Sequence, residues 1–588
     1  MIEKMHLSFL FVKEYSVLKN VGLSFDHRFV FYVNGDTLHI RRNEGFPVNF
    51  LENGIYSLTA IVGKNGSGKT TAMRLMKRLF VEGSPREEEV EVLIAYEMEG
   101  DLCIYNHTGL TITAEDGVVV NHIETRSTIE TLYYSGHFQP YTGAEGEMEL
   151  SGSYEASDAW LLVKDLQDYA NVDTFHLSEP LYNHLAAYYA QNHYRICELL
   201  SLDGLEELLM SVRLPKYIQF APNRGGWNAL KLNRYGALDD LEIPGEHWTS
   251  RNIKERALEI IVYYGIINLI AERKGEIKVL HAILKEWVQM PKEGGVENAL
   301  ERIIEERKLD DDTHAGIKAL HYVIDRLVAI CEFDELSGSY FITIRGGKDR
   351  LQLLMDEVFR SRYFLTARFL DIVYTNQPGI DTKLSSGEQE LLNLLSRLYY
   401  GITLAPQKFG NLNSPRLLML DEAEIGFHPE WQQQYVQILT EFISFMKVVG
   451  GVDFQIVLTS HSPIILSDIP VNCVNFLSRE GDTTCVVTDE KQTFGENVFN
   501  LYRRAFFMEN GLVGAFASSK LRNLFDRARR GENDEELMKE VELIGDERIK
   551  DALLYEIGNH HYEVARNYYQ RKLEELNRRR ADEEDRPE

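Results

Sequence analysis

Residues 58–80 read LTAIVGKNGSGKTTAMRLMKRLF, and this stretch decides the fold class of the chain. An apolar run precedes a glycine-rich loop, and apolar residues at helical spacing follow it, which predicts a strand, a loop and a helix. The loop at 63–70 fits the pattern G-x-x-x-x-G-K-[ST]. In this context the pattern predicts backbone N–H groups that wrap a phosphate. The alternative is a glycine-rich turn that binds nothing, which the flanking strand and helix disfavour.

The loop pattern also predicts the roles of individual side chains. Lys69 would place its charge on the β- and γ-phosphates, and the Thr70 hydroxyl would ligate Mg²⁺. The other candidate residues for nucleotide binding are Gly63, Asn65, Gly66, Ser67, Gly68 and Thr71. The sequence therefore predicts that the chain binds a nucleoside triphosphate.

A second acidic segment, SPRLLMLDEAEIGFHPEWQQQ at 414–434, contains an apolar strand that ends in Asp421 and Glu422. An enzyme with a phosphate-binding loop needs carboxylates at such a strand end. Asp421 would hold Mg²⁺, and Glu422 would polarise the attacking water as a general base. A solvated strand end followed by a capped helix is the alternative. A later apolar run, FQIVLTSHSPIIL at 454–466, places His461 where an imidazole could bind the γ-phosphate.

The stretch KLSSGEQELLNLL at 383–395 predicts an amphipathic helix with an unusual beginning. Ser385 and Glu388 form S-x-x-E, a capping box that starts a helix. The capping box leaves Ser386, Gly387 and Lys383 unexplained. A helix N-terminus with bare hydroxyls and a glycine is suited to an anion, and the candidate anion is a triphosphate.

The segment LSSGEQ at 384–389 resembles the signature motif of ABC-type ATPases. The chain then carries, in order, Walker A (63–70), signature (384–389), Walker B (417–422) and a switch histidine, His461. The resemblance implies an α/β fold, a P-loop ABC-type nucleotide-binding domain with a mixed sheet and flanking helices. It also implies ATP and Mg²⁺ as cofactors, and a homodimer or higher homo-oligomer formed through ATP. In that family the signature residues of one copy cap the γ-phosphate held by the partner; here these are Ser385, Ser386, Gly387 and Glu388.

Two further residues follow from the same resemblance. Gln139, in YYSGHFQPY at 133–141, is the candidate for the Q-loop residue, with a catalytic and metal-binding role. His428, in AEIGFHP at 423–429, stands where transporters usually place an aspartate. The segment is similar to that of the RecF/SMC/OLD-like branch rather than to that of transporters.

The pattern along the chain predicts four parts. We expect residues 1–144 and 339–505 to form one ATPase domain, interrupted by a mainly helical insertion at 145–338 and followed by a charged helical region at 506–588. Six prolines between residues 140 and 291 interrupt the insert, and no heptad pattern persists, which disfavours long coiled-coil arms. The insertion is therefore expected to be a compact lid or docking domain.

The composition of the chain indicates the class of protein and the compartment in which we expect it. The formal net charge of −28 disfavours a dedicated DNA-coating protein. Five scattered cysteines suit a reducing compartment. The longest apolar run, at 260–271, is too short for a bilayer, and residues 1–15 show no signal peptide. We therefore expect a soluble, cytoplasmic protein with no membrane partner.

The run at 492–525 is similar to the region that follows the ATPase core in stand-alone RecF/OLD-like ATPases of anti-phage defence operons. The resemblance extends to the PtuA-type ATPases of Septu systems, some of them retron-associated. The resemblance implies a slow ATPase that senses and scaffolds, with a separate HNH-type nuclease subunit and nucleic acid contacted through the complex. No TOPRIM-like acidic cluster follows residue 480, so we expect no nuclease centre in this chain. A RecF-like DNA-binding ATPase of DNA repair and a weak ATPase that is only a scaffold are the alternatives.

Overall fold

The structure is a computed structural model. It describes residues 5–47, 50–51, 54–82, 90–115, 117–137, 153–170, 181–209, 212–224, 252–272, 275–361, 370–377, 384–403, 416–487, 491–504, 513–532 and 535–584. The strands of the described residues are β1 (Met5–Tyr15), β2 (Leu18–Ser24), β3 (Phe29–Asn34), β4 (Thr37–Arg42), β5 (Ile55–Gly63), β6 (Glu91–Met98), β7 (Asp101–Asn106), β8 (Thr111–Ala114), β9 (Val120–Ile123), β10 (Thr131–Ser135), β11 (Ser153–Glu155), β12 (Tyr217–Pro222), β13 (Glu332–Asp334), β14 (Ser339–Thr343), β15 (Leu370–Thr375), β16 (Arg416–Asp421), β17 (Phe454–Thr459), β18 (Val474–Glu480) and β19 (Thr483–Val487).

The α-helices of the described residues follow the same chain order. They are α1 (Lys69–Phe80), α2 (Asp158–Ala170), α3 (Leu181–Leu200), α4 (Leu205–Leu208), α5 (Ile253–Ala271), α6 (Ile277–Gln289), α7 (Val296–Glu306), α8 (Asp311–Ile330), α9 (Lys348–Leu353), α10 (Ser386–Thr403), α11 (Pro429–Gly450), α12 (Pro463–Leu466), α13 (Val498–Arg504), α14 (Ala515–Arg529), α15 (Glu535–Glu542), α16 (Glu547–His560) and α17 (Tyr562–Glu584). A π-helix, Leu354–Phe359, continues α9. None of the described helices is long and apolar enough to cross a membrane.

One large mixed sheet organises the chain. In the described residues it has 12 strands in the order β11-β10-β16-β17-β5-β18-β19-β2-β1-β6-β7-β9. Every neighbouring pair from β11 to β18 runs parallel. The pairs β18–β19, β1–β2, β1–β6 and β6–β7 are antiparallel. The expected α/β fold, a mixed sheet with flanking helices, is confirmed.

The central strands are buried on both faces because helices cover both. All six residues of β16 and all six of β17 are buried, as expected for continuous apolar runs in a parallel sheet. Leu417 and Met419 share one core with α1. Leu418 and Leu420 point to the opposite face and share another core with α10 and α11. The alternation of side chains along β16 therefore places the phosphate-loop helix and the signature helix on opposite faces of the sheet.

The helices α2, α3 and α5–α8 pack into the same core as α10 and α11. A second sheet accompanies them, antiparallel throughout and ordered β13-β14-β12-β15. Strand β12 pairs with β15 from Pro222↔Leu370 to Tyr217↔Thr375. This pairing joins a strand that lies between two helical stretches to a strand about 150 residues later. The sequence predicted a mainly helical segment between residues 145 and 338 and did not predict this strand pair.

Two smaller cores complete the chain. The three-stranded sheet β3-β4-β8 packs against β1, β6 and β7 through Phe29, Leu38 and Ile40. The chain separates into two compact units, of which the first includes residues 1–501 and the second residues 508–588. In the second unit, α14–α17 enclose a core of their own that includes Leu524, Leu537 and Leu553.

Candidate nucleotide site

The parallel strand order brings the predicted motifs to one edge of the sheet. Strands β10, β16, β17 and β5 are consecutive neighbours. Ser135 is level with Asp421, Asp421 with Thr459, and Thr459 with Ile61. Because parallel strands share the edge at which they end, the phosphate loop, Asp421, Glu422 and the loop after β17 converge there. Strand β17 ends at Thr459, two residues before His461.

The phosphate loop needs its glycines for conformation and for close approach. Gly66 and Gly68 have φ angles of +77° and +99°, which favour glycine. A Cβ on Gly63 would lie 2.0 Å from the carbonyl oxygen of Leu477, and one on Gly68 would lie 2.5 Å from the Thr484 hydroxyl oxygen. The loop is therefore held closely against β18 and β19.

Two polar groups of the loop are poised for a ligand. The Ser67 hydroxyl is fully buried and has no hydrogen-bond partner among the described residues. The Lys69 ammonium donates to the carbonyl oxygens of Gly63, at 2.9 Å, and of Lys64, at 3.1 Å. Burial lowers the pKa of Lys69 to about 8, although Glu422 and Asp421 act in the opposite direction. Among the described residues the hydrogen bonds of this ammonium go to these two neutral carbonyls, and phosphate oxygens would stabilise its charged form further.

Asp421 lies at the end of β16 and is buried. One carboxylate oxygen accepts from the Thr459 hydroxyl at 2.6 Å, and the other accepts from the Tyr133 hydroxyl at 3.3 Å. Burial raises the pKa of Asp421. A divalent cation at this edge would favour the ionised carboxylate, and Thr70, partly exposed in the first turn of α1, offers a second oxygen. The donor set fits Mg²⁺ held by Thr70 and Asp421 together with phosphate oxygens and water.

Glu422 is held between two histidines. Its Oε2 lies 2.7 Å from Nε2 of His137, and its Oε1 lies 3.2 Å from Nε2 of His461. Burial raises the pKa of Glu422, but the hydrogen bonds and charges of His461 and His137 outweigh burial and lower this pKa to about 2. The backbone of Glu422 has a φ of +48°, which is rare for a side-chain-bearing residue, and its N–H donates to the Thr459 hydroxyl at 3.0 Å. The carboxylate is therefore ionised and aimed by its surroundings.

The sequence identified His461 but missed three residues that shape this edge. His137 contacts Glu422 directly, and Thr459 bridges Asp421 and Glu422. Glu424 is buried and accepts from the Ser460 hydroxyl at 2.5 Å and from the His461 N–H at 3.3 Å, so it fixes the loop that carries His461. Gln139, the Q-loop candidate two residues after His137, lies outside the described residues.

The signature segment forms the predicted capping box. The Ser385 N–H and hydroxyl donate to Oε2 of Glu388 at 2.8 and 2.9 Å, and the Glu388 N–H donates to the Ser385 hydroxyl at 3.3 Å. Ser385 and Ser386 are exposed at the start of α10. Gly387 is buried, and a Cβ there would lie 3.1 Å from the ring of Trp431. Lys383 lies outside the described residues.

His428 has a structural role. Its Nδ1 accepts from the Glu430 N–H at 3.4 Å, so it is the N-cap of α11, with Pro429 in the first turn. The residue that stands in the place of the transporter aspartate therefore starts the helix that follows Walker B.

Residues 308–467 match the family model described as "AAA domain, putative AbiEii toxin, Type IV TA system". The matched segment contains the signature helix, the Walker B strand and His461. The phosphate loop at residues 63–70 lies outside the match, and the sheet brings it next to the matched strands. The chain has the α/β fold, a large mixed sheet with flanking helices, that the resemblance to ABC-type ATPases implies. Its motifs are therefore assembled from two distant parts of the sequence.

Two curated proteins are similar to part of this chain. "Protein ea59" of Escherichia phage lambda is 24% identical over 142 residues, which is 24% of each chain. "Retron Vc95 probable ATPase" of Vibrio cholerae serotype O1 biovar El Tor is 24% identical over 160 residues, 27% of this chain and 30% of the relative. The alignments thus span about a quarter of the length of these relatives. The structure titled "Structure of the recombination mediator protein RecF-ATPrS in RecFOR pathway" is 12% identical, covers 82% of this chain and 99% of that chain, and gives a TM-score of 0.22.

Proposed function

We propose that this ATPase binds and slowly hydrolyses ATP with Mg²⁺, dimerises around ATP, and serves as a sensor and regulatory scaffold for a separate nuclease subunit in anti-phage defence. The observation that carries the proposal is the meeting of Lys69, Asp421, Glu422 and His461 at one edge of the sheet. These four side chains supply the groups that phosphoryl transfer to water requires.

Each group has a part in the reaction. The loop N–H groups, Lys69 and the Ser67 hydroxyl would bind the β- and γ-phosphates, and Mg²⁺ held by Thr70 and Asp421 would neutralise phosphate charge. Glu422 would take a proton from the attacking water as the water oxygen bonds to the γ-phosphorus. The bond from the γ-phosphorus to the bridging oxygen breaks, which yields ADP and phosphate. His461 would donate to a γ-phosphate oxygen.

The signature helix supports a dimer. The Ser385 side chain bonds only to Glu388 among the described residues, within its own helix. Ser386 is exposed beside it, at the end of an 18-residue helix where N–H groups attract anions. We propose that Ser385, Ser386, Gly387 and Glu388 cap the γ-phosphate held by a second copy. Residues 145–338 are proposed as an insertion that docks a partner.

The defence role rests on similarity and on charge. One relative is by its name a retron ATPase, and retron-associated and Septu systems are the setting that the sequence resemblance implies. A net charge of −28 favours nucleic-acid contact through a partner over contact by this chain. We therefore propose an HNH-type nuclease partner, a cytoplasmic location and nucleic acid bound by the complex.

A pull-down tests this proposal. A tagged Glu422→Gln chain, expressed with its native neighbouring genes, is purified with and without ATP and its complexes are weighed by native mass spectrometry. We expect an ATP-dependent dimer that carries a nuclease subunit. A partner-free dimer that retains DNA only with ATP would instead establish the alternative, a RecF-like DNA-binding ATPase of DNA repair.

A further inference from the structure

The two histidines that hold Glu422 come from different loops and lie at different distances from its carboxylate oxygens. His137 follows β10, which pairs with the Walker B strand β16, whereas His461 follows β17 on the other side of β16. The contact of His137 with Oε2 is 2.7 Å, and that of His461 with Oε1 is 3.2 Å. Each carboxylate oxygen of Glu422 thus has its own histidine.

The backbone beside His137 is fixed to the Walker B turn. The Gly136 N–H donates to the carbonyl oxygen of Asp421 at 3.0 Å, which extends the ladder from the Ser135–Asp421 pair. A Cβ on Gly136 would lie 2.3 Å from the carbonyl oxygen of Glu422, so the two backbones touch. The His137 N–H donates to the Ser135 hydroxyl at 3.2 Å and closes the turn. The imidazole of His137 is therefore carried by the same backbone ladder as its carboxylate partner.

We propose that His137 is a positioning residue for ATP hydrolysis: it holds Oε2 of Glu422 while His461 turns to the γ-phosphate, and this leaves Oε1 facing the attacking water. The proposal rests on the proposed function, because it requires ATP to be bound so that its γ-phosphate can attract His461. When His461 leaves, His137 is the one remaining side-chain partner of Glu422 among the described residues.

The consequence is kinetic. A carboxylate held at one oxygen keeps its other oxygen in a fixed direction, whereas a carboxylate with no partner samples several side-chain rotamers. Loss of His137 is expected to lower kcat by ~30-fold, less than the ~100-fold or more expected when the general base itself is removed. The Michaelis constant for ATP should change little, because among the described residues the His137 side chain hydrogen-bonds to Glu422 and not to the phosphate loop, Thr70 or Asp421.

The experiment compares His137→Ala, His137→Gln and, as a control, His39→Ala in the full chain, with kcat and KM for ATP measured at saturating Mg²⁺. His39 stacks on Tyr32 in the small three-stranded sheet, and its loss should leave both constants unchanged. The His137 side chain is 43% exposed, so its removal leaves no buried cavity. We expect a loss of kcat for His137→Ala at constant KM, and recovery of most of that loss in His137→Gln, whose amide still donates.

A double-mutant test separates positioning from other roles. In a Glu422→Gln chain, His137→Ala should cause no further loss of the residual rate, because its effect acts through the carboxylate. An unchanged kcat in His137→Ala, or an equal loss with and without Glu422, overturns the positioning role. Failure of the proposed function has a different signature, which is a wild-type chain with no ATPase activity above that of Glu422→Gln.

Discussion

At the scale of single residues, the pKa of Lys69 gives a testable pH dependence. Burial lowers this pKa to about 8 in the free protein, and phosphate oxygens would raise it in the complex. The complex with ATP therefore holds the Lys69 proton more tightly than the free protein does. The affinity for ATP is highest below pH ~8, and it falls by up to tenfold per pH unit as the pH rises above that value.

Calorimetric titration between pH 6.5 and 9.5 measures this dependence, and buffers of different ionisation enthalpy report the proton uptake near pH 8. A Lys69→Arg chain is the matched control, because arginine stays charged over the whole range. Affinity that rises with pH would contradict the assigned contact between Lys69 and phosphate.

Glu422→Gln and Lys69→Ala should separate chemistry from binding. The amide of Glu422→Gln cannot accept the proton of water, so hydrolysis should slow by ~100-fold or more while ATP still binds. Lys69→Ala should abolish binding, since the lysine is the candidate cation for the β- and γ-phosphates. Nucleotide binding by fluorescence and single-turnover hydrolysis distinguish the two, and equal ATP affinity in wild type and Lys69→Ala would refute the assignment of the loop.

Local patterns point to those residues of the candidate site that lie in continuous motifs, whereas the other residues reach it only through the order of the strands. Lys69, Asp421 and Glu422 can be read from their own segments because an apolar strand and a loop define each one. His137 lies 285 residues from Glu422, and it reaches the site only because β10 pairs with β16. One sequence carries no direct signal for that pairing, although a histidine after a short apolar strand was the available hint.

At the scale of elements, the N-terminus of α10 predicts the behaviour of a dimer. Ser385→Arg would place a long side chain over the exposed start of this helix. In a Glu422→Gln background the variant should still bind ATP as a monomer but fail to pair, as measured by light scattering with ATP. Val448→Arg, at a position 78% exposed near the end of α11, adds the same charge and should pair normally. A Ser385→Arg chain that dimerises like the control would remove the trans-capping argument.

The contact between α10 and the helices α2 and α3 predicts a stability effect. The Arg397 guanidinium is buried and bonds to Asp158 at 2.6 Å, to the Tyr188 hydroxyl at 2.6 Å and to Asn192 at 3.3 Å. Arg397→Ala leaves these groups without their cation and should cost about 3–5 kcal/mol in the free energy of unfolding. Arg350→Ala removes a half-exposed pair with Glu332 and should cost less than about 1 kcal/mol.

Urea titration followed by tyrosine and tryptophan fluorescence compares the two arginine variants. A similar midpoint for Arg397→Ala and Arg350→Ala would show that the buried pair does not stabilise the contact of α10 with α2 and α3.

Among the strands, too, those formed by a local apolar run could be predicted from the sequence, whereas the long-range pairing could not. Strands β5, β16 and β17 could be predicted because each is a continuous apolar run of strand length bounded by turn or loop residues. The pairing of β12 with β15 was not, because β12 is a short strand between helices and its partner lies about 150 residues away. The pairing of strands that are distant in sequence depends on how the whole chain packs, and a short segment of sequence holds no information about that packing.

At the scale of the whole molecule, net charge is the strongest guide to the partner. The formal charge of −28 opposes approach to a polyanion, so any contact with nucleic acid by this chain alone needs a local basic surface. A complex with a nuclease subunit can supply the cationic surface instead.

This reasoning predicts the DNA binding of the isolated chain. Fluorescence anisotropy with a labelled duplex, Glu422→Gln protein and ATP should show little binding at about 0.15 M salt, where the screening length is about 8 Å. The same duplex should bind the co-purified nuclease complex, with an affinity that falls steeply as salt increases because phosphate contacts release counterions. The complex without ATP serves as the control for nucleotide dependence. Tight, ATP-dependent and salt-sensitive binding by the isolated chain would instead favour the RecF-like role, because it would locate the nucleic-acid surface on the ATPase itself.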